Sequence, residues 1–260
     1  MMKKLLWLTI LLGLGVMTGF ISDGGSCQRP LPWQKQQCEE MEQAILKTTV
    51  RIALHGWIEI DSRDRVERIY GTISHATVID GQYLLTHNHF GIPLSQLDVY
   101  SQHANSSFTG VSVYRLDGTA VLDHAPLDVF VIASETGETT LLDFGAVAGE
   151  GFFTHADIGS AQIADNDTNQ LHPGAEVAQI DWDGQDHTQV VWTQIKTIYR
   201  DSGLPRMEVN HFIELGASGG GVFLNGKLIG NNWGRIIESS PDTDTVRHQL
   251  SLVALNSYGR

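Results

Sequence analysis

The sequence predicts an all-β protein of two antiparallel six-stranded barrels, preceded by a signal or anchor segment and a short helix. Three observations predict it. Short stretches alternating apolar and polar residues recur between Thr48 and Ala133, and again between Glu176 and Ala254, which is the period of half-buried strands. Turn dipeptides such as Asp80-Gly81 and Asp117-Gly118 punctuate them. The amphipathic helices that βαβ units need between strands are missing, so the pattern favours small barrels over a parallel sheet. With 260 residues and 42% hydrophobic content, the chain can bury a proper core.

The elements follow in order. Residues 1–26 read as a signal peptide or membrane anchor: Lys3 and Lys4, an uncharged and mostly apolar run from Leu5 to Ile21, then Ser22-Asp23-Gly24-Gly25-Ser26. The run is long for a cleaved signal and short for a spanning helix, so cleavage and retention both stay open. With the lysines held inside, either version places the rest of the chain outside the cytoplasm, whether secreted, periplasmic or anchored. Residues 27–47 form a linker with an amphipathic helix over Gln34–Lys47, where Met41, Ile45 and Leu46 fall at helical spacing. The chain has two cysteines, Cys27 and Cys38. They pair as a local disulfide in an oxidising compartment, or Cys27 carries a lipid behind the small residues Gly25 and Ser26. Membrane attachment thus has two routes, through residues 5–21 or through a lipidated Cys27.

Residues 48–135 make the first barrel, with its strands to be drawn from candidate stretches at Thr48–Leu54, Trp57–Ile60, Val66–Ile73, Thr77–Ile79, Tyr83–Thr86, Leu97–Tyr100, Gly110–Arg115 and Leu127–Ala133. Residues 136–171, rich in small and polar side chains, are a connection with at most two short strands. Residues 172–260 make the second barrel, with strands at Glu176–Trp182, Gln189–Tyr199, Met207–Glu214, Gly221–Leu224, Lys227–Gly230 and Leu250–Ala254. The acidic turn Asp181 to Asp186 lacks the loop glycine and terminal glutamate of a calcium-binding EF loop, and reads as a solvated hairpin. A formal net charge of −13, with no cluster of Lys or Arg, excludes a nucleic-acid partner.

Chemistry concentrates at Gly216-Ala217-Ser218-Gly219-Gly220-Gly221. Glycines around a serine let the backbone turn sharply and approach another molecule. The amides of Gly216 and Ser218 can then face one point and hold an oxyanion. A glycine-rich hairpin loop is the plain alternative. A serine hydroxyl is a weak nucleophile near neutral pH and needs a base in reach, itself oriented by a third group. His87 and His89, at the end of the apolar strand Tyr83–Thr86, are the best placed of eleven histidines. Asp128 stands in the apolar stretch Pro126–Ile132 and suits a sheltered orienting acid. Asp123, beside a turn, is its rival.

Taken together, these blocks resemble the chymotrypsin-like (trypsin-fold) serine proteases. Leu84-Leu85-Thr86-His87-Asn88-His89 is similar to their leucine-threonine-x-x-histidine block, which selects His89 as the base. Asp128 with Val129-Phe130-Val131-Ile132 resembles their aspartate block, Gly216 to Gly220 their nucleophile block, and the order His, Asp, Ser is theirs. Ile229-Gly230-Asn231-Asn232-Trp233-Gly234 resembles the segment lining their substrate cleft, where main-chain groups of Asn232 and Gly234 pair with an extended peptide, beside Trp233. The resemblance implies a serine endopeptidase acting on polypeptides through an acyl-enzyme, with no cofactor and no metal.

The departures are informative. Ala217 replaces the aspartate that animal members pair with a new amino terminus, which argues against activation by amino-terminal cleavage. No cysteines flank His89 or Ser218, as in bacterial, disulfide-poor members. Counting back six from Ser218 gives Phe212 where members that cleave after basic residues carry an aspartate, so the pocket leans toward apolar or small side chains.

Three rivals remain. An α/β-hydrolase esterase shares GxSxG but places its acid and histidine after the serine, and only Gly219–Arg260 follow. A zinc hydrolase of the HxH type would need further ligands where Gly91 and Ile92 stand. A protease fold kept as a catalytically silent binding module is the third, since fold alone does not fix function.

Overall fold

The computed structural model describes residues 26–62, 65–88, 90, 94–96, 107–136, 139–164, 170–183, 187–199, 206–240 and 243–252. The leader, residues 5–21, and the expected strand Leu97–Tyr100 lie outside the described residues.

Helix α1 (Lys35–Lys47) forms where the apolar spacing predicts it, burying Cys38 and Ile45. It ends at two threonines, whose hydroxyls donate to the Ile45 carbonyl at 2.8 and 3.1 Å, satisfying an acceptor that a helix end would leave open. Cys27 and Cys38 are joined as a disulfide. This corrects the lipid alternative, because the Cys27 sulfur is already bonded and offers no thiol. The strap before the helix is docked as well. Ser26 Oγ and the amides of Cys27 and Gln28 donate to the Glu176 carboxylate at 2.5, 2.7 and 3.0 Å. The stretch 27–47 is therefore part of the folded unit, where the sequence suggested a linker.

The first β-unit is a curled seven-stranded antiparallel sheet in the order β7-β6-β1-β4-β5-β9-β8. Its strands are β1 (Thr49–His55), β4 (Ile73–Ile79), β5 (Tyr83–His87), β6 (Gly110–Tyr114), β7 (Ala120–Ala125), β8 (Val131–Thr136) and β9 (Thr139–Asp143). Among the described strands, β2 (Trp57–Ser62) and β3 (Arg65–Tyr70) pair with each other alone, as a separate hairpin. The unit thus extends to Asp143, past the expected boundary at residue 135. The reason is visible in β9: Leu142 faces the core of this unit while Leu141 faces the second unit. A strand buried on both faces shows no alternation to read. Strand β7 carries no clear alternation for the opposite reason, being half-buried to exposed along its length. The connection carries two single-turn helices, α2 (Gly145–Ala148) and α3 (Phe152–His155), and touches the sheets through isolated bridges at Ala161 and Ile163.

The second unit is a closed six-stranded barrel in the order β10-β11-β12-β15-β14-β13. It comprises β10 (Glu176–Trp182), β11 (Thr188–Tyr199), β12 (Arg206–Val209), β13 (Gly221–Leu224), β14 (Lys227–Ser240) and β15 (Thr243–Leu252). Each unit has its own core, one built on Val50, Ile52, Val78, Leu84 and Val113, the other on Val177, Ile195, Met207 and Val222. A third cluster joins them: Ile79, Leu85 and Leu141 from the first, Ile180, Phe223 and Leu228 from the second, and Ile45 from α1. Alternation along β4, β5 and β10 sends successive side chains to these different cores.

Candidate active site

The loop carrying Ser218 connects β12 to β13 and lies where the two units meet. Gly216 has φ 101° and Gly219 φ 80°, a region open to glycine and strained for other residues. A side chain at Gly219 would fall on the His75 carbonyl oxygen and Thr86 Oγ1, so the first unit presses directly against the loop.

Strand β4 holds this loop. It pairs with β5 only from Thr77 onward, leaving its edge at Ser74 and His75 open. The Ser218 carbonyl fills that edge, accepting from the His75 amide at 3.0 Å and from Ser74 Oγ. Since the Ser74 hydroxyl donates its one hydrogen there, the His87 ring nitrogen Nε2, 2.5 Å from Ser74 Oγ, is the donor in that contact. His87 is buried and stacked on Phe90. The Gly216 carbonyl accepts from His75 Nδ1 at 2.7 Å. That bond fixes the His75 tautomer, so Nε2 accepts from the Thr188 hydroxyl at 2.8 Å. Burial drives the His75 imidazole down to about 4; the bond to Gly216 opposes this, Arg51 adds to it, and Asp181 opposes it.

A second support lies in the barrel wall. The buried Asp181 accepts from the amides of Trp182 at 2.8 Å and Glu214 at 2.9 Å, and from His211 Nε2 at 2.7 Å. Burial raises the Asp181 carboxyl, but the bonds from His211, Glu214 and Trp182 outweigh it and the net shift is downward. Asp181 is therefore a structural acid, not a member of a solvated hairpin. The Trp182 ring lies beside Gly216 and meets the His75 ring edge-on at 5.2 Å, with the Arg51 guanidinium 5.4 Å away on it.

What is left free in the loop is chemically specific. Among the described residues, no acceptor binds the amides of Gly216 or Ser218, and no partner binds the Ser218 hydroxyl, whose residue is half-buried. Carbonyls are tied inward; the two amides expected to hold an oxyanion are open.

The other sequence-predicted residues divide. His89 lies outside the described residues. Asp128 sits in a single 3-10 turn, Leu127–Val129, and is exposed. This corrects the expectation of a sheltered acid within a strand: Leu127 and Val129 pack on the core instead, and the strand begins only at Val131. Its rival Asp123 is also exposed and lies within 3.4 Å of Ser112 Oγ, next to the stacked rings of His55 and His124. Phe212 is half-buried between His211 and the buried Ile213. The Asn232 amide donates to the Gly220 carbonyl at 2.8 Å, and its carbonyl accepts from the Gly219 amide at 2.7 Å. Both main-chain groups of Asn232 are thus committed to the Ser218 loop, which corrects their expected pairing with substrate. Its side chain donates to the Ile180 and Ala217 carbonyls. A bulge between Asn232 and Gly234 turns Trp233 out of register, and Arg206 lies 4.9 Å from its ring. Strand β13 leaves β14 at Asn231, so beyond that point the edge of β14 facing away from β15 has no partner among the described strands.

Ser74, His75 and Asp181 were not found from sequence. The one signal was a polar pair inside the apolar stretch Ile73–Ile79, and Asp181 was masked by the acidic residues after it.

Two antiparallel β-units meeting at a glycine-rich serine turn define the chymotrypsin-like serine protease fold. Solved structures agree. The chain is similar to the Rv3671c protease from M. tuberculosis, inactive form, with TM-score 0.50 and 15% identity over 85% of this chain and 93% of that one. It is also similar to the HtrA-type protease AlgW with a decapeptide, with TM-score 0.56 and 13% identity over 85% of this chain and 67% of that one. No family model matches the chain. No curated protein matches it either.

Proposed function

We propose that this chain is an exported serine endopeptidase. Ser218 attacks a peptide carbonyl, His89 takes and returns the proton, Asp128 orients His89, and the amides of Gly216 and Ser218 receive the oxyanion. The carrying observation is the state of the nucleophile loop. The Gly216 and Ser218 carbonyls are bound by the first unit, while among the described residues no acceptor binds the amides of the same two residues, in a fold shared with solved proteases. The AlgW structure holds a decapeptide; here the edge of β14 from Gly234 onward, without a partner among the described strands, supports binding of an extended polypeptide as an added strand. Phe212 and Trp233 supply apolar surface beside it. Export is supported by the charged-then-apolar leader and the disulfide. No described helix is long and apolar enough to cross a membrane; residues 5–21 are the candidate anchor.

A fluorophosphonate probe tests the reading. Wild type becomes covalently labelled at Ser218 and Ser218→Ala does not. Equal labelling of the two would remove Ser218 from the chemistry. No labelling of folded wild type would leave a silent, protease-shaped binding module.

A further inference from the structure

We propose that Ser74 and His75 are positioning residues that hold the nucleophile loop in its reactive shape from across the interface between the two units. The inference rests on the protease reading and goes beyond it, because neither residue touches substrate in that reaction.

The geometry is that of a two-point clamp. Ser74 Oγ and the His75 amide fix the Ser218 carbonyl, and His75 Nδ1 fixes the Gly216 carbonyl at 2.7 Å. These are the two residues whose amides must face the oxyanion. Fixing both carbonyls removes most of the freedom of the peptide units between them, which include the Ser218 amide. Gly216 needs such restraint, since glycine at φ 101° has a wide range of alternatives and no side chain to lock it.

The clamp is itself restrained. His75 is fully buried, its second nitrogen is engaged by Thr188, and Trp182 closes over it. Ser74 is oriented by His87. The hydrogen bond to Gly216 requires a hydrogen on Nδ1 but no positive charge, so a neutral amide donor in the same place should serve. Asparagine offers one: its Nδ2 stands close to where Nδ1 stands in histidine.

The test uses the full-length protein with His75→Leu, His75→Asn and Ser74→Ala. Hydrogen exchange of the segment 211–220 is the readout independent of catalysis. His75→Leu should speed exchange there about tenfold while the β1 and β10 amides stay unchanged. Turnover of a peptide substrate should fall about 10²-fold with KM within about threefold. His75→Asn should recover most of both. Ser74→Ala, a smaller change, should show the same pattern more weakly and serves if His75→Leu does not fold. Unchanged exchange over 211–220 in either variant overturns the proposal, as does equal impairment by leucine and asparagine. If wild type is not labelled by a fluorophosphonate, the protease reading fails, and the exchange data alone still decide whether the clamp holds the loop.

Discussion

Gly219 is the residue with least room for change. Its φ of 80° is strained for a side chain, and any Cβ collides with the His75 carbonyl and Thr86 Oγ1. Gly219→Ala should destabilise the protein by about 3 kcal/mol or more and abolish labelling of Ser218, read by thermal melts and probe mass shift. Asp128→Asn should lower turnover by about 10⁴ if Asp128 orients His89; an unchanged rate would remove Asp128 from the role. His75 makes a pH prediction. Its folded value, about 4, lies below the ordinary 6.5, so the unfolded chain binds a proton more readily. Stability is whole above pH 6.5 and declines as pH falls toward 4, by about 3 kcal/mol. Urea melts at pH 7 and pH 4 should show wild type losing that much more than His75→Asn. The glycine-rich turn at Gly216–Gly221 was legible because local spacing carries it, whereas the partner of His75 lies 141 residues away and no local pattern can announce it.

At the scale of elements, the helix α1 is held by more than its own spacing. Ile45 fills the cluster between the units, and Trp192 Nε1 on β11 donates to Glu42 at 2.7 Å. The disulfide closes a loop with a sequence separation of 11, which by loop entropy contributes about 3 kcal/mol. Replacing both cysteines by serine should therefore lower the unfolding free energy by that amount, read as a lower urea midpoint once any change in slope is fitted, and leave labelling of Ser218 intact. Strands with one wet face, such as β11, were readable from alternation, as was the helix from its 3.6 period. Strand β9 was not, because both of its faces are dry. Asp128 was misplaced for a related reason: one apolar stretch holds a 3-10 turn and a strand in succession, and composition does not mark the join.

For the whole molecule, the cluster shared by Leu85, Leu141, Ile180 and Phe223 makes the two units interdependent. Leu85→Ala should cost about 2–5 kcal/mol, and its effect should be the same whether melting is followed by tryptophan fluorescence or by far-UV circular dichroism. Two separate transitions would mean that the units fold alone. The two-unit plan was legible because each unit repeats the same period; how the units dock was not, since docking depends on side chains alternating between cores. The clamp on the Ser218 loop has a bearing on biogenesis. Ser74 and His75 are made 144 and 141 residues before the carbonyls they grip, so a nascent chain emerging from the ribosome owns the grip but nothing to close on. Under the proposed reading, hydrolytic competence arrives only once the second unit has been made and both units have docked, which would spare the producing cell from digestion by its own unfinished product.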